Sequence, residues 1–302
     1  MQLARLVDKL SSAHTFFYVH IDRNVDIHPF EQALKDKQNV FFLPPEKRVA
    51  SVWGSPGLVR ATLNAINEVI KADRYGYTFL ISGQCYPIKN NESIYAFLKD
   101  QYGCNFIEGF ALPDPRWPSS HARMRHYAFF LSSKREDFLT IPSLWDLSVT
   151  DLYNLKLIKG YLKIFLRNPL KVMVVVKKRR FPLALRPYGG AQWWTLPLET
   201  LKFISRFVAQ NPGYLKYHAY TLFPDEIFFQ TIVHNYFSRV SPPTTFCSWP
   251  DEEAGSSPQT LTAAHFSLLK ERKELFARKF DCGVDSKILD LIDRQLLQEA
   301  TW

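Results

Sequence analysis

The sequence has no apolar run approaching the roughly 20 residues that a membrane-spanning helix needs. It has only four cysteines, and they form neither a C-x-x-C pair nor a zinc-like spacing with a histidine. These absences argue against a transmembrane protein, a disulfide scaffold and a zinc ribbon. We therefore expect Cys85, Cys104, Cys247 and Cys282 to be reduced core thiols of a cytoplasmic protein.

The segment from Met1 to Leu10 also lacks the features of a signal peptide, because Arg5 and Lys9 interrupt it in an amphipathic pattern. The whole chain is rich in apolar (46%) and aromatic (15%) residues, which is typical of a globular protein. We treat residues 1–302 as one domain. The net charge of +9 favours an anionic partner such as a nucleotide diphosphate, acidic lipid headgroups or nucleic acid, although a solvated basic face with no partner is an open alternative.

Strand and helix patterns alternate through the first 110 residues. Apolar runs rich in β-preferring residues alternate with helical periodicity, which predicts an α/β sheet with helices on both faces. In such a sheet, ligands bind where strands end at their carboxyl edge, and Asp22 and Ser82–Gly83 follow two of these strands. The predicted elements are an opening helix to Leu10, strands at Phe16–Ile21, Val40–Leu43, Tyr77–Ile81 and Asn105–Glu108, and helices at Leu58–Lys71 and Glu92–Lys99.

The segment 155–186 is apolar, aromatic and basic, and it contains the run Lys177-Lys178-Arg179-Arg180 near its end. A basic amphipathic segment of this kind lies on anionic membrane surfaces, which predicts peripheral association with the inner face of a membrane. The alternative is a helix that packs on the core and has an ordinary solvated face. We regard this segment as an insert in an acceptor and catalytic half, residues 111–240, which follows a nucleotide-binding half, residues 1–110.

The remaining pattern predicts helices at Leu198–Ala209 and Pro224–Tyr236, the second with proline in its first turn and acidic residues behind it. The C-terminal part, residues 241–302, has a Ser/Pro/Gly-rich loop from Pro242 to Pro258. Two further helices are expected there, around Ala263–Leu275 and Ser286–Glu299.

Five motifs in order resemble one enzyme family. They are His20-Ile21-Asp22-Arg23, Ile81-Ser82-Gly83-Gln84-Cys85-Tyr86-Pro87-Ile88, Gly190-Ala191-Gln192-Trp193-Trp194, Pro224-Asp225-Glu226 with Phe228 and Thr231, and the stretch Leu275 to Asp281. Together they resemble the core-2/I-branching β-1,6-N-acetylglucosaminyltransferases (glycosyltransferase family 14), which include the peptide xylosyltransferases. The chain looks like a bacterial-type member.

This resemblance implies a GT-A-like fold with a Rossmann-type nucleotide-binding sheet. It also implies inverting transfer of GlcNAc or xylose from UDP-GlcNAc or UDP-xylose to a glycan or glycolipid acceptor, without a metal or other cofactor. The sequence contains no D-x-D triplet, the usual metal signature of other GT-A enzymes. The expected setting is a polysaccharide pathway at the cytoplasmic membrane face.

Inversion is a single displacement in which one carboxylate takes the proton of the attacking hydroxyl. Glu226 matches the family's catalytic base, and we expect Asp225 to cap the helix or support the acceptor side. The alternative is that both carboxylates only complement a helix dipole. Tryptophans 193, 194 and 249 are candidates for stacking on the acceptor, although adjacent tryptophans in a strand split, so at most one of Trp193 and Trp194 should face the site.

Without a metal, the departing diphosphate needs a fixed positive charge. Lys279 matches the family's basic residue, and Arg278 is its neighbour. His20, Asp22, Ser82 and Gly83 match positions that contact the donor, although a histidine in a strand is more often a core residue.

Three features depart from the family pattern. Cys85 stands where the family has aspartate, and no arginine lies between Ser256 and Gln259, where branching enzymes carry one, so that Arg179, Arg180 or Arg278 would have to substitute. The family's first strand is missing, so we expect either that the true start lies upstream or that the protein is impaired. A catalytically impaired glycan- or membrane-binding fold is therefore the alternative function. A nucleic-acid-binding protein is disfavoured, because the basic residues form no recognised nucleic-acid motif.

Overall fold

The computed structural model describes residues 1–249 and 257–298. The helices of this part of the chain are α1 (Gln2–Leu10), α2 (His28–Leu34), α3 (Gly57–Ala72), α4 (Asn91–Asp100), α5 (Ser120–Arg125), α6 (Leu155–Arg167), α7 (Pro169–Val172), α8 (Leu198–Gln210), α9 (Pro212–His218), α10 (Phe228–Tyr236), α11 (Phe266–Lys270) and α12 (Lys287–Gln295).

The strands are short and alternate with these helices. They are β1 (Phe17–Val19), β2 (Val40–Phe42), β3 (Tyr77–Phe79), β4 (Cys85–Pro87), β5 (Asn105–Ile107), β6 (Phe110–Ala111), β7 (Tyr127–Phe130), β8 (Phe138–Ile141), β9 (Tyr188–Gly189), β10 (Trp194–Pro197), β11 (Val240–Ser241), β12 (Thr245–Cys247) and β13 (Phe276–Arg278).

A four-stranded sheet in the order β11-β5-β10-β3 lies at the centre. Strand β11 pairs parallel to β5, whereas β10 pairs antiparallel to both β5 and β3. A second sheet has the order β12-β13-β4, and β1 pairs parallel with β2. The mixed pairing and the alternation along the chain confirm the predicted α/β class.

The central sheet separates two apolar cores. Phe79, in β3, packs into a core that α1, β4 and α12 share, whereas the next residue, Leu80, packs into a core formed by α3, α8 and α10. Successive side chains of a strand point to opposite faces, so each face of the sheet receives its own set of helices. Helices therefore cover both faces, as predicted.

The motif residue Tyr86 joins the two ends of the described chain. Its hydroxyl donates to Asp293 Oδ1 at 2.8 Å and accepts from Arg5 Nε at 3.2 Å. Arg5 also pairs with Asp290 and Asp293, at 2.7 and 2.8 Å. Helices α1 and α12 are thus fixed together beside β4, close to the loop that precedes it.

A third, smaller core is separate from the two cores that pack on the central sheet. The β7–β8 hairpin packs against α6 through Tyr127, Phe129, Ile141 and Ile164, with Val175 closing the cluster. This unit carries the segment for which the sequence predicted membrane association. No helix in residues 1–249 and 257–298 has the length and apolarity needed to cross a bilayer.

Three predicted elements are wrong in their extent. The helix expected at Pro224–Tyr236 is a 3₁₀ turn over Pro224–Glu226 followed by α10, with a break at Ile227. The break arises because the Glu226 carbonyl accepts the Gly190 N–H, at 3.0 Å, so this oxygen serves a tertiary contact.

The other two corrections lie near the C-terminus. The predicted helix Ala263–Leu275 ends at Lys270, because Leu275 and Phe276 donate their N–H groups to the Thr244 carbonyl. The predicted loop Pro242–Pro258 contains β12, which pairs with β13, while residues 250–256 of that loop lie outside the described residues. The last predicted helix is α12, and Glu299 also lies outside them.

Candidate active site

A tight turn carries Glu226, and Phe223 opens this turn. Phe223 adopts a left-handed conformation with φ of 51°, and its N–H donates to the Gly54 carbonyl at 2.9 Å. Its ring meets Trp53 edge-on at 4.6 Å. Gly54 has φ of +74°, and a Cβ there would lie 2.6 Å from the Phe223 ring, so only glycine fits. The segment before α3 therefore fixes where the Glu226 turn begins.

Arg123 holds the Glu226 carboxylate. Its Nη1 donates to Glu226 Oε2 at 2.7 Å, and both side chains are largely buried. The guanidinium lies 4.3 Å from the Trp117 ring centre and 4.7 Å from that of Phe223. Two aromatic faces and one carboxylate thus fix the cation from three sides. Sequence reasoning missed Arg123, which comes from α5, and its neighbourhood carries no spacing signal that marks it.

Burial raises the pKa of Glu226, while the charge of Arg123 and its hydrogen bond oppose that rise. The neighbouring charge of Glu108 adds to the rise. Within the described residues, the only hydrogen bond of the carboxylate is the one at Oε2. Glu226 therefore combines an anchored oxygen with a second oxygen, Oε1, that makes no hydrogen bond to the described chain.

Asp225 behaves differently from its neighbour. Only 5% of its surface is exposed, and its Oδ1 has no hydrogen-bond partner among the described residues. Burial, and after it the charge of Glu226, raises the pKa of Asp225 to about 8. The prediction that Asp225 caps the helix is wrong, because no side chain caps either the 3₁₀ turn or α10.

The glycine-rich segment from Gly189 to Trp194 lies against the Glu226 turn. Besides the bond from Gly190 to Glu226, the Ala191 N–H donates to Glu108 Oε2 at 2.7 Å, and Gln230 Nε2 donates to the Ala191 carbonyl at 2.7 Å. A Cβ at Gly190 would lie 2.5 Å from the Glu108 carbonyl oxygen, so the backbone approach requires glycine. Glu108 follows β5, so the carboxyl-edge rule that selected Asp22 could also have selected it.

The far end of this segment reaches the predicted donor side. Trp193 lies under Arg278, with the guanidinium carbon 4.2 Å from the ring centre. Trp194 is 2% exposed and packs on Phe229 in the core, so it is removed from the acceptor candidates. Trp193 is itself only 8% exposed, so both tryptophans are buried, and the predicted split with one ring turned outward is wrong. Trp249 is 59% exposed at the surface.

Arg278 lies in the middle strand of the second sheet, where Cys247 pairs with it on one side and Cys85 on the other. Burial raises the pKa of the Cys247 thiol to about 11, although the Arg278 charge opposes this. The Arg278 Nε is buried and has no partner among the described residues. Cys247 and Cys282 are only partly buried, whereas Cys85 and Cys104 are the core thiols that were predicted.

Lys279 follows directly and is partly exposed. Its carbonyl accepts the Leu261 N–H at 2.8 Å, and the next residue, Phe280, donates its N–H to the Gln84 carbonyl at 2.9 Å. Lys279 therefore lies in the chain next to the Ser82–Gly83–Gln84 loop, which contains two other residues predicted to contact the donor. Within that loop, Ser82 Oγ accepts the Gln84 N–H, and the Gly83 carbonyl accepts from Gln2.

Cys85 takes part in the same turn. Its buried Sγ accepts the Ser82 N–H at 3.4 Å and lies 3.6 Å from Ser82 Oγ. In this position the thiol acts as a weak acceptor for the turn, where the family's aspartate would offer a charged one.

His20 and Asp22 brace the chain that leads to Gly54. His20 Nε2 accepts the Val49 N–H at 2.9 Å, which requires a neutral ring, and burial lowers the pKa of this histidine. The Asp22 carboxylate accepts the N–H groups of Ser51 at 2.6 Å and Asn24 at 2.9 Å. These bonds connect the predicted donor residues to the Glu226 turn through residues 49–54.

The structure thus brings the predicted residues to two ends of one segment. Glu226 and Arg123 lie where Gly190 and Ala191 are held, whereas Arg278 and Lys279 lie at Trp193 beside the Ser82–Gly83 loop. A carboxylate and a cationic pair at the two ends of a glycine-rich segment, beside an α/β sheet, can serve a glycosyltransferase, which needs a base for the acceptor and a cation for the leaving group.

Comparison with known proteins agrees with this class. Residues 1–272 match the profile of the Core-2/I-Branching enzyme family, and the chain belongs to that family. Its curated relatives include human xylosyltransferase 2 and human xylosyltransferase 1, each 22% identical over 320 residues that cover 98% of this chain. Mouse xylosyltransferase 2 has the same identity and coverage. The chain spans only about a third of the length of these relatives, 32% and 29% for the two human proteins.

Proposed function

We propose that this chain is an inverting glycosyltransferase that transfers GlcNAc or xylose from a UDP-sugar to a glycan or glycolipid acceptor at the cytoplasmic face of a membrane. The observation that carries the proposal is the Glu226–Arg123 pair at 2.7 Å. A base needs one oxygen directed at its substrate and a pKa that favours proton uptake. Glu226 has an unused Oε1 within the described chain and a pKa that burial raises.

The reaction is one displacement. The acceptor hydroxyl forms a bond to the anomeric carbon while its proton passes to Glu226 Oε1. The bond between that carbon and the UDP oxygen breaks, and the electron pair leaves with UDP. Arg123 holds Glu226 in place through Oε2, so Arg123 is a positioning residue.

The developing charge on UDP requires a cation at the other side of the sugar. Lys279 is our candidate, with Arg278 beside it, and no divalent metal takes part in the proposed step. Their location beside the Ser82–Gly83 loop supports this assignment, because that loop leaves β3 at the edge where nucleotides bind in α/β sheets. His20 and Asp22 are proposed to line the nucleotide side of the same pocket.

The acceptor side is proposed to lie around Glu226, with the exposed Trp249 as its aromatic surface, because Trp193 is buried beneath Arg278. Asp225 supports this side as a neutral carboxyl, since its pKa of about 8 keeps it protonated at lower pH. The names of the xylosyltransferase relatives support xylose as one of the two donor sugars. GlcNAc remains the other, because the five sequence motifs resemble those of the branching N-acetylglucosaminyltransferases.

The test is a UDP-release assay with a panel of UDP-sugars and glycan acceptors, run with and without EDTA. We expect turnover with UDP-GlcNAc or UDP-xylose that EDTA leaves unchanged. Calorimetry with UDP measures donor binding separately. Binding of UDP without turnover of any donor would support the impaired fold instead, and loss of turnover in EDTA would disprove metal independence.

A further inference from the structure

The surface of α6 and α7 carries large apolar side chains that the fold leaves in solvent. Leu166 is 73% exposed and Leu170 84%, and the loop before α6 adds Tyr153 at 81%. We call this surface the α6 face. Its exposed apolar residues are Tyr153, Leu155, Ile158, Leu162, Phe165, Leu166, Leu170 and Met173.

The exposed apolar residues of α6 are not the ones that pack on the core. Helix α6 already buries one face, formed by Gly160 and Ile164 with Leu157 and Tyr161, against the β7–β8 hairpin. The Tyr161 hydroxyl donates to the Pro142 carbonyl at 2.7 Å. At 3.6 residues per turn, the exposed apolar residues of α6, from Leu155 to Leu166, occupy a separate arc about 100° wide. The helix therefore has a second apolar face that the rest of the described chain leaves largely in solvent.

Lysines border this second face. Lys156, Lys159 and Lys163 are exposed and fall along one edge of the arc. The ion pairs among the described residues do not involve these three lysines. Residues 155–186 contain ten lysines and arginines and no aspartate or glutamate, so the positive charge is not neutralised within the segment.

We propose that the α6 face docks on an anionic lipid bilayer. Aliphatic side chains on a helix that lies parallel to the surface enter the boundary between headgroups and acyl chains, and bordering lysines extend to the phosphates. Charge complementarity favours this partner. Of the ten cations, Arg179 is buried and Lys178 is paired with Asp146, and the other eight match a surface of uniform negative charge. The proposal stands on surface geometry and does not depend on the proposed enzymatic function.

A direct connection joins the α6 face to the candidate active site. Arg179, which follows α7, is 6% exposed and donates to the Arg123 carbonyl at 3.1 Å. It also donates to the Tyr217 carbonyl at 3.0 Å and to Thr221 Oγ1 at 2.6 Å. The segment that carries the α6 face is thus anchored to the helix of Arg123, so docking would hold the site at a fixed position relative to the bilayer.

The experiment is sedimentation of the full chain with vesicles of phosphatidylcholine alone and of phosphatidylcholine mixed with phosphatidylglycerol. We expect binding to the mixed vesicles only, weakened by salt. The triple variant L162S/F165S/L166S removes the apolar contact and should abolish sedimentation. The triple variant K156E/K159E/K163E should weaken binding at least about a hundredfold, because removing each lysine charge costs about fivefold and each new glutamate is also repelled.

The matched control is K216E/K270E/K273E, which changes the net charge equally at exposed lysines outside the α6 face and should bind nearly as the wild type does. Circular dichroism checks that every variant folds. Three results would overturn the proposal. The wild type could bind both vesicle types equally, or both α6-face variants could bind as the wild type does. Light scattering could also show a dimer that only the apolar variant abolishes. UDP release on a soluble acceptor should persist in these variants. Loss of vesicle binding can therefore be distinguished from loss of the proposed enzymatic activity.

Discussion

The Glu226 turn and the α6 face are both rich in cations and large apolar side chains, yet they arrange them in opposite ways. At the turn, Arg123 is enclosed by Trp117, Phe223 and the Glu226 carboxylate. At the α6 face, lysines lack acidic partners and apolar side chains lie in solvent. Burying charged carboxyls costs desolvation, and leaving a leucine exposed forgoes about 1.5–3 kcal/mol of burial. Neither region is arranged for maximum stability. The Glu226 turn is suited to proton transfer, whereas the α6 face is suited to association with a lipid bilayer.

Replacing the proposed base should show most clearly that the Glu226 turn serves turnover and the α6 face serves vesicle binding. Glu226→Gln keeps the shape but cannot take up the proton, so we expect kcat to fall about 10²- to 10⁴-fold with UDP binding and vesicle binding unchanged. The control is Glu108→Gln, since Glu108 accepts a backbone N–H beside the same segment. Comparable losses in both variants would show that the segment, and not the base, limits activity.

The proposed leaving-group cation should have the next largest effect. Lys279→Met removes the charge, and we expect about a 10²- to 10³-fold lower kcat. Calorimetry should also show weaker UDP binding, whereas Lys270→Met, on exposed α11, should change neither quantity. Unchanged turnover in the Lys279 variant would refute its role at the diphosphate.

Arg123 should act through the pKa of Glu226. Its charge lowers that pKa against the effect of burial, so Arg123→Met should raise it. Because the base must be deprotonated, the acid limb of the kcat/KM profile should move to higher pH, with activity at neutral pH about 10- to 100-fold lower. The control, Arg116→Met, removes an arginine that is also paired with a carboxylate and stacked on a ring, but at the surface. A lower rate with an unmoved pH profile would assign Arg123 a purely structural role.

The last prediction concerns the pH dependence of stability and Asp225. Its pKa is about 8 in the folded chain, against an ordinary value of 3.8. A carboxyl with a raised pKa stabilises the fold at low pH, and this contribution is lost as pH rises toward and through about 8. Urea unfolding should show the wild type losing stability from pH 5 to pH 9, with a smaller loss in Asp225→Asn. Equal losses in both would mean that Asp225 is ionised in the folded state.

Local patterns predicted the elements that depend on local burial. The strands β1, β2, β3 and β5 and the helices α1, α3, α4 and α8 were found within a few residues, because each buries one continuous apolar face. The errors occurred where a distant partner intervened. Gly190 takes the Glu226 carbonyl and ends the turn, and Thr244 draws Leu275 out of the predicted helix.

The residues of the candidate site also divide into those that the sequence predicted and those that a distant partner determines. Motif order identified Glu226, Lys279 and the family, and the profile match confirms the family. Arg123 could not be found, because it pairs with a residue 103 positions away and nothing near it in the chain marks that pairing. The tryptophan pair was mispredicted for a similar reason, since Phe229 packs on Trp194 and Arg278 packs on Trp193, and both rings are buried.

The sequence by itself determined the α/β class, the order of the motifs and the basic apolar character of residues 155–186, because composition and periodicity encode local burial. Tertiary structure alone decided that Arg123 holds Glu226, that Asp225 is buried beside it, and that α6 carries a second, outward apolar face. These features depend on which surfaces are excluded from water after packing, and desolvation at a given carboxylate or leucine is a property of its neighbours in space.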